Sequence, residues 1–301
     1  MNTYTNDYNR LPDFETRLIW EDTLTQKYPF IKRQNIGKSL CGRPIYAYSI
    51  GSDQSKTLYA GAFHGMEWLT SLILLRFLEK CAISIEKNRD ILCFRMYDFL
   101  KAKGLCIIPC VNPDGVEIQL KGSSGAEKNK RFVDSVSKDT SHWQANAGGV
   151  DINHNFNAGW KKLKRLEIKN GITKPAPTRY GGKAPESEPE TKAIADFCRK
   201  ENFAKAFAFH SQGREIYYDF GNRTPENSRL TAEILADCTG YKVSAPNGLA
   251  VGGGFKDWFI EYFGKCAFTV EIGMGKNPLP LSDFDDEYKR LLPLLCLGAM
   301  L

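Results

Sequence analysis

The chain has 301 residues, of which 42% are hydrophobic and 25% charged, enough for a substantial core beneath a soluble surface. A formal net charge of +6 is too small to suggest a nucleic-acid binder, and no apolar run approaches the ~20 residues that span a bilayer. Nine cysteines, an odd number without a CxxC pair, exclude a fully paired disulfide framework and point to a reducing compartment.

The segment MNTYTNDYNR lacks the apolar core of a signal peptide, so a cytoplasmic location is expected. Helical spacing then runs over 11–28 (Leu11, Phe14, Leu18, Leu24) and stops at Tyr28-Pro29. Strand-like runs follow over 44–50 and 57–63, joined by the turn-prone GSDQS. From Glu67 to about Lys87 the sequence reads as a well-buried helix. A short strand over 105–111 leads into a polar loop beginning NPDG, and residues 122–189 read as irregular, the kind of long loop that usually carries function.

Within that region the basic cluster Lys161–Arg165 with Lys169 reads as a solvated helix face. Helices are expected over 187–200, 225–238 and 283–297, and strands over 204–210, 215–220 and 266–272. Alternating strands and helices, several uniformly apolar, indicate an α/β chain with a mixed sheet covered on both faces. No low-complexity linker or repeat divides it, so residues 1–301 read as one domain, with a helical segment over 1–30 packed on it.

Chemistry concentrates at strand ends. His64 ends the run TLYAGAF, Glu67 opens the next helix, and His210 ends KAFAF before the turn-prone Ser-Gln-Gly. A three-residue step across a strand-to-helix turn brings His64 and Glu67 to the carboxyl edge of the sheet, where open α/β sheets hold their sites. Two imidazoles and a carboxylate make the protein half of an open zinc site, one ion per chain. Glu271, in FTVEIG at a third strand end, is placed as general base and acid, and Asp151 in GVDIN as the acceptor orienting His64. An isolated HxxE arises often by chance, and strand-end histidines are commonly structural. The ordered combination favours the metal.

In this order HxxE, GVDxN, HSQG, GGxxDW and TxEIG resemble the zinc carboxypeptidase family from about residue 12 onward. NPDGVE, TRYGGKAPESEPE, FHSQGREIYYDFGN, GFKDWFI and FTVEIGMGKNPLPL are similar to its γ-D-glutamyl-meso-diaminopimelate peptidase branch. The resemblance implies a single α/β/α sandwich around a twisted mixed sheet of roughly eight strands. It also implies zinc on His64, Glu67 and His210, Glu271 as base and acid, and murein-derived peptides as substrate.

The chain departs from the resembled pattern at three places. Asn153-His154 stands where digestive-type members carry Asn-Arg, and an imidazole cannot make the fork that guanidinium makes with a carboxylate. Gln144 stands where related bacterial sequences place a cation, leaving only a neutral donor for a developing oxyanion, with Arg131 as a possible substitute. Leu249 stands where many relatives have a tyrosine. The pocket beyond the scissile bond should then offer other cations to an acidic diamino acid, and Arg214 and Lys256 are the candidates, each with a carboxylate neighbour in sequence (Glu215, Asp257). The glycines 252–254 fit a tight turn or close substrate approach. Two rivals stay open: a zinc exopeptidase or amidase for other acidic peptides, and a muropeptide-binding protein without turnover. No motif specifies an oligomeric state.

Overall fold

The computed structural model describes residues 4–301, so the first three residues of the expected 1–30 segment lie outside the described residues. The strands are β1 (Lys32–Lys38), β2 (Pro44–Gly51), β3 (Thr57–Ala60), β4 (Gly104–Ile108), β5 (Lys205–Ser211), β6 (Glu215–Tyr217), β7 (Lys242–Val243) and β8 (Ala267–Ile272). They form one mixed sheet of eight strands in the order β1-β2-β4-β3-β5-β8-β6-β7. Its centre, β4-β3-β5-β8, is parallel, while β1, β2 and β6 join by antiparallel pairing.

The helices are α1 (Phe14–Lys27), α2 (Leu69–Lys87), α3 (Met96–Ala102), α4 (Pro113–Lys121), α5 (Lys130–Val136), α6 (Trp160–Lys169), α7 (Pro189–Glu201), α8 (Ser228–Thr239), α9 (Phe255–Phe263) and α10 (Phe284–Met300). Strand side chains alternate between faces, and two cores follow from that alternation. Tyr59, Phe207, Phe209, Phe268 and Val270 point to one face, where they meet α1, α2, α8 and α10. Leu58, Ala60, Ala206 and Ala208 point to the other, where small strand residues admit α7 and the aromatic side of α9 (Phe255, Trp258, Phe259). Among the described residues no helix is long and apolar enough to cross a membrane, and all nine cysteines are free thiols.

Four differences from the sequence expectation have local causes. The edge strand β1 was not foreseen, because KRQNIGK has a single large apolar residue and most of the strand is exposed. The expected polar loop at NPDG is the start of α4: the Asn112 side chain accepts from Gly115 N at 2.9 Å, and Pro113 sits in the first turn. β3 ends at Ala60 rather than Phe63, since Ala62 turns the chain with φ +48°. The expected irregular stretch 122–189 contains α5 as well as the basic helix α6, which exposes Lys161, Lys162, Arg165 and Lys169.

Candidate active site

Three strand ends converge at the carboxyl edge of the parallel centre. Beyond β3 the chain makes a single 3₁₀ turn, Gly65–Glu67, before α2. That turn is tight: a Cβ at Gly65 would lie 2.2 Å from the Gly115 carbonyl oxygen, so only glycine fits between His64 and Glu67 here. His210 lies on β5 and pairs in register with Glu271 on the neighbouring parallel strand β8, so both side chains leave the same face side by side. Phe63 is fully buried and stacks on the His210 ring, with centroids 5.2 Å apart and planes 20° apart.

Glu67 bridges the two imidazoles. His64 Nδ1 lies 2.9 Å from Oε1 and His210 Nδ1 lies 2.9 Å from Oε2. One donor atom from each of the three residues falls within 4.8 Å of the others. On its far side His64 Nε2 lies 3.0 Å from Asp151 Oδ1, and Asp151 also accepts from Asn153 N and Arg179 N.

A carboxylate only accepts, so the proton of a neutral His64 sits on Nε2 and its Nδ1 lone pair faces the lone pairs of Glu67. Buried acceptors facing each other this closely need a proton or a metal ion between them. Burial alone would lower the His64 pKa, but Glu67 and Asp151 outweigh it and raise the pKa well above the usual value. Burial would raise Glu67, yet His64 and His210 pull it down to about 2. A divalent ion entering at the two Nδ1 atoms displaces the proton and satisfies all three groups, and this nitrogen, nitrogen, oxygen set is one that zinc takes. The His210 Nε2 has no hydrogen-bond partner, so no second contact competes for that ring.

These residues lie in an open cleft of about 550 Å³. The family profile described as zinc carboxypeptidase matches residues 18–293. The chain belongs to the zinc carboxypeptidase family. It is 37% identical over 282 residues to the gamma-D-glutamyl-L-diamino acid endopeptidase 1 of Lysinibacillus sphaericus, covering 92% of this chain and 69% of that protein. It is 26% identical to bovine (Bos taurus) carboxypeptidase B, covering 90% of this chain and 65% of that one. Among solved structures, bovine thrombin-activatable fibrinolysis inhibitor superposes with a TM-score of 0.78 at 22% identity, with 97% of each chain covered. The murein-tripeptide amidase MpaA of Escherichia coli O157 superposes with a TM-score of 0.55 at 19% identity, covering 89% of this chain and 92% of that one. The protein is thus a zinc carboxypeptidase-family hydrolase, with His64, Glu67 and His210 forming a site able to hold the metal.

Glu271 faces the cleft with part of its surface open. Desolvation, with the nearby Glu67 and Glu215 charges, pushes its pKa well above the ordinary carboxyl value, and His64 works the other way. Gln144, Asn153 and His154 also line the cleft. The Asn153 Oδ1 accepts from Phe255 N at 2.9 Å, leaving its amide nitrogen available. His154 is buried, and its Nδ1 lies 3.1 Å from the Arg179 carbonyl oxygen and 3.3 Å from Glu167 Oε1. Burial lowers the His154 pKa, but Asp151 and Glu167 outweigh it and raise it.

Lys256 lines the cleft but is buried, with Nζ 2.6 Å from Asp257 Oδ1 and bonded to the Asp219 carbonyl. Its charge is therefore already matched. Arg214 is the clearest departure from the expected positions. It is absent from the cleft lining, because its guanidinium turns to α10 and pairs with Glu287, which is buried. Arg131 lies on α5 and is likewise not part of the lining.

Leu249 sits on the cleft wall, and the glycines beside it serve close packing: Gly253 has φ +70°, and a Cβ there would lie 2.5 Å from Leu163 Cδ2. Arg179 and Tyr217 are among the lining residues that sequence reasoning did not single out. Tyr217 shows itself only through the strand register, which places it two residues beyond the Glu215–Glu271 pair, and its hydroxyl donates to Glu215 Oε2 at 2.6 Å.

Proposed function

We propose that this chain hydrolyses the amide bond between γ-D-glutamate and meso-diaminopimelate in murein-derived peptides, within one peptidase domain spanning residues 1–301 and acting in the cytoplasm. The observation that carries the reading is the 37% identity over 92% of the chain to a relative named gamma-D-glutamyl-L-diamino acid endopeptidase. The loss of the carboxylate-binding arginine at His154 agrees with it, since a digestive-type carboxypeptidase needs that group.

His64, Glu67 and His210 hold the metal, and Asp151 fixes the His64 tautomer. Zinc, when bound, supplies Lewis-acid polarisation at the scissile carbonyl and makes water more acidic. Glu271 accepts a proton from the attacking water and returns it to the leaving nitrogen. For this it must be ionised in the loaded site, which a nearby dication favours against the burial that raises its pKa. Gln144 and the Asn153 amide offer neutral donors to the substrate's oxygen atoms.

The test is incubation of the zinc-loaded chain with L-Ala-γ-D-Glu-meso-diaminopimelate and with its lysine analogue, products being identified by mass. The reading expects L-Ala-D-Glu and free diaminopimelate, with the lysine peptide cut more slowly. Equal cleavage of both would instead support the broader reading of an exopeptidase or amidase for other peptides. No cleavage of either by the metal-loaded chain would favour a binding protein.

A further inference from the structure

The acidic substrate proposed above carries free carboxylates, yet the two cations foreseen for them are occupied: Arg214 by Glu287 outside the cleft, and Lys256 by Asp257 within it. One other cation lines the cleft. Arg179 is exposed there, and among the described residues no carboxylate lies within ion-pair distance of its guanidinium. Without it, Glu67, Asp151 and Glu271 face only the metal and the His154 ring, which is already engaged by Glu167 and the Arg179 carbonyl, since Lys256 and Asp257 cancel. An anionic substrate entering that field needs a further positive charge.

The backbone around Arg179 is held on both sides. Its N–H donates to Asp151 Oδ2 at 3.1 Å, and its carbonyl oxygen lies 3.1 Å from His154 Nδ1. The flanking residues are tied as well: the Tyr180 carbonyl accepts from Asp151 N at 2.8 Å, and the Pro177 carbonyl accepts from Gln144 N and Ala145 N at 3.0 Å each. The residue itself adopts φ +65°, a left-handed conformation that glycine or asparagine takes more cheaply than arginine. A strained, anchored backbone that ends in an unpaired side chain over a cleft is a pattern of positioned functional groups.

From this placement we infer that Arg179 is a specificity-determining residue, whose guanidinium takes one carboxylate of the diaminopimelate portion of the substrate. The inference rests on the proposed peptide substrate. Guanidinium meets a carboxylate through two parallel N–H donors, which neither Gln144 nor His154 offers. The Arg179 backbone N–H is one hydrogen bond removed from Asp151, and Asp151 one removed from His64, so the base of this side chain is anchored to the metal-ligand network.

The experiment compares three peptides: L-Ala-γ-D-Glu-meso-diaminopimelate, and the two versions in which one or the other diaminopimelate carboxylate is amidated. Each is assayed with the zinc-loaded parent, Arg179→Gln and Arg179→Lys. The parent is expected to prefer the free peptide over one of the mono-amides by about 10- to 150-fold in kcat/KM, the range for a charge-assisted hydrogen bond. Arg179→Gln loses that preference by cutting the free peptide as slowly as the discriminated amide, and a circular-dichroism spectrum and zinc content matching the parent's show that the variant is folded. Arg179→Lys restores part of it, as a point charge without the fork. If Arg179→Gln keeps the parental ratios for both amides, the role of Arg179 is overturned while the proposed substrate stands. If the parent cuts none of the three peptides, the proposed substrate falls, and the inference with it.

Discussion

Replacing Asp151 by asparagine removes one charge and one acceptor from a fully committed carboxylate. Oδ1 accepts from His64 Nε2 at 3.0 Å and from Asn153 N at 3.1 Å, while Oδ2 accepts from Arg179 N at 3.1 Å. An amide keeps one acceptor oxygen, so whichever way it turns, an N–H of the variant faces another N–H. A buried donor left unsatisfied costs about 1–3 kcal/mol. The imidazole also loses the charge that fixes its tautomer, and losses of this kind weaken metal binding by roughly 10–100-fold, or about 1.4–2.8 kcal/mol. Zinc affinity is measured by competition with a chromophoric chelator, and stability by urea unfolding of the metal-free chain. The Asp151 pKa is held below its unfolded value by His64 and His154 against the effect of burial. Its contribution is therefore complete above the unfolded value near 4 and fades as pH falls through the lower folded value. Asp151→Asn should lack this acid dependence. A zinc affinity within twofold of the parent would refute the argument.

Two further expectations concern stability, one away from the site and one beneath it. Glu21 on α1 is buried, and burial pushes its pKa from 4.5 to about 7 despite the opposing Arg17. Between these values the folded chain holds a proton that the unfolded chain has released, so stability falls as pH rises through the window, by about 3 kcal/mol in total. Glu21→Gln removes that slope, and an unchanged difference in urea midpoint between pH 5 and pH 8 (values set by the assay) would count against it. Phe63→Ala opens a cavity under His210 and beside Phe255, whose ring is 5.4 Å away. A loss of about 3–5 kcal/mol is expected in thermal or urea unfolding, together with weaker zinc binding. A loss under about 1 kcal/mol would show that the stack does not support the site.

The site was more legible in the sequence than the sheet that carries it. His64, His210 and Glu271 each follow an apolar strand run, so their place at one edge followed from periodicity. Their side-by-side geometry needed the strand order, in which β8 pairs with β5 although more than fifty residues separate them. The edge strand β1 escaped because an exposed strand carries no apolar alternation. The helix α4 left a readable signal, an asparagine cap followed by proline, which the polar reading of NPDG passed over. Arg214 was misplaced for a different reason. Its spacing from His210 suggested the cleft, but φ +53° at Arg214 turns the chain and Glu287 from the distant α10 captures the charge. Arg179 lies within TRYGGKAPESEPE, a segment without periodicity, and its place over the cleft comes from bonds to residues far away in sequence.

The most direct measurement sets the zinc-loaded Glu271→Gln chain beside the parent on L-Ala-γ-D-Glu-meso-diaminopimelate, with metal content determined in the same samples. Glu271 touches none of the bonds that tie Glu67 to His64 and His210, so both chains should carry zinc equally. The rate of amide hydrolysis should fall by about 10²–10⁴-fold, the contribution of a positioned acid and base. Equal hydrolysis by the two chains would contradict the assignment of proton transfer to this carboxylate.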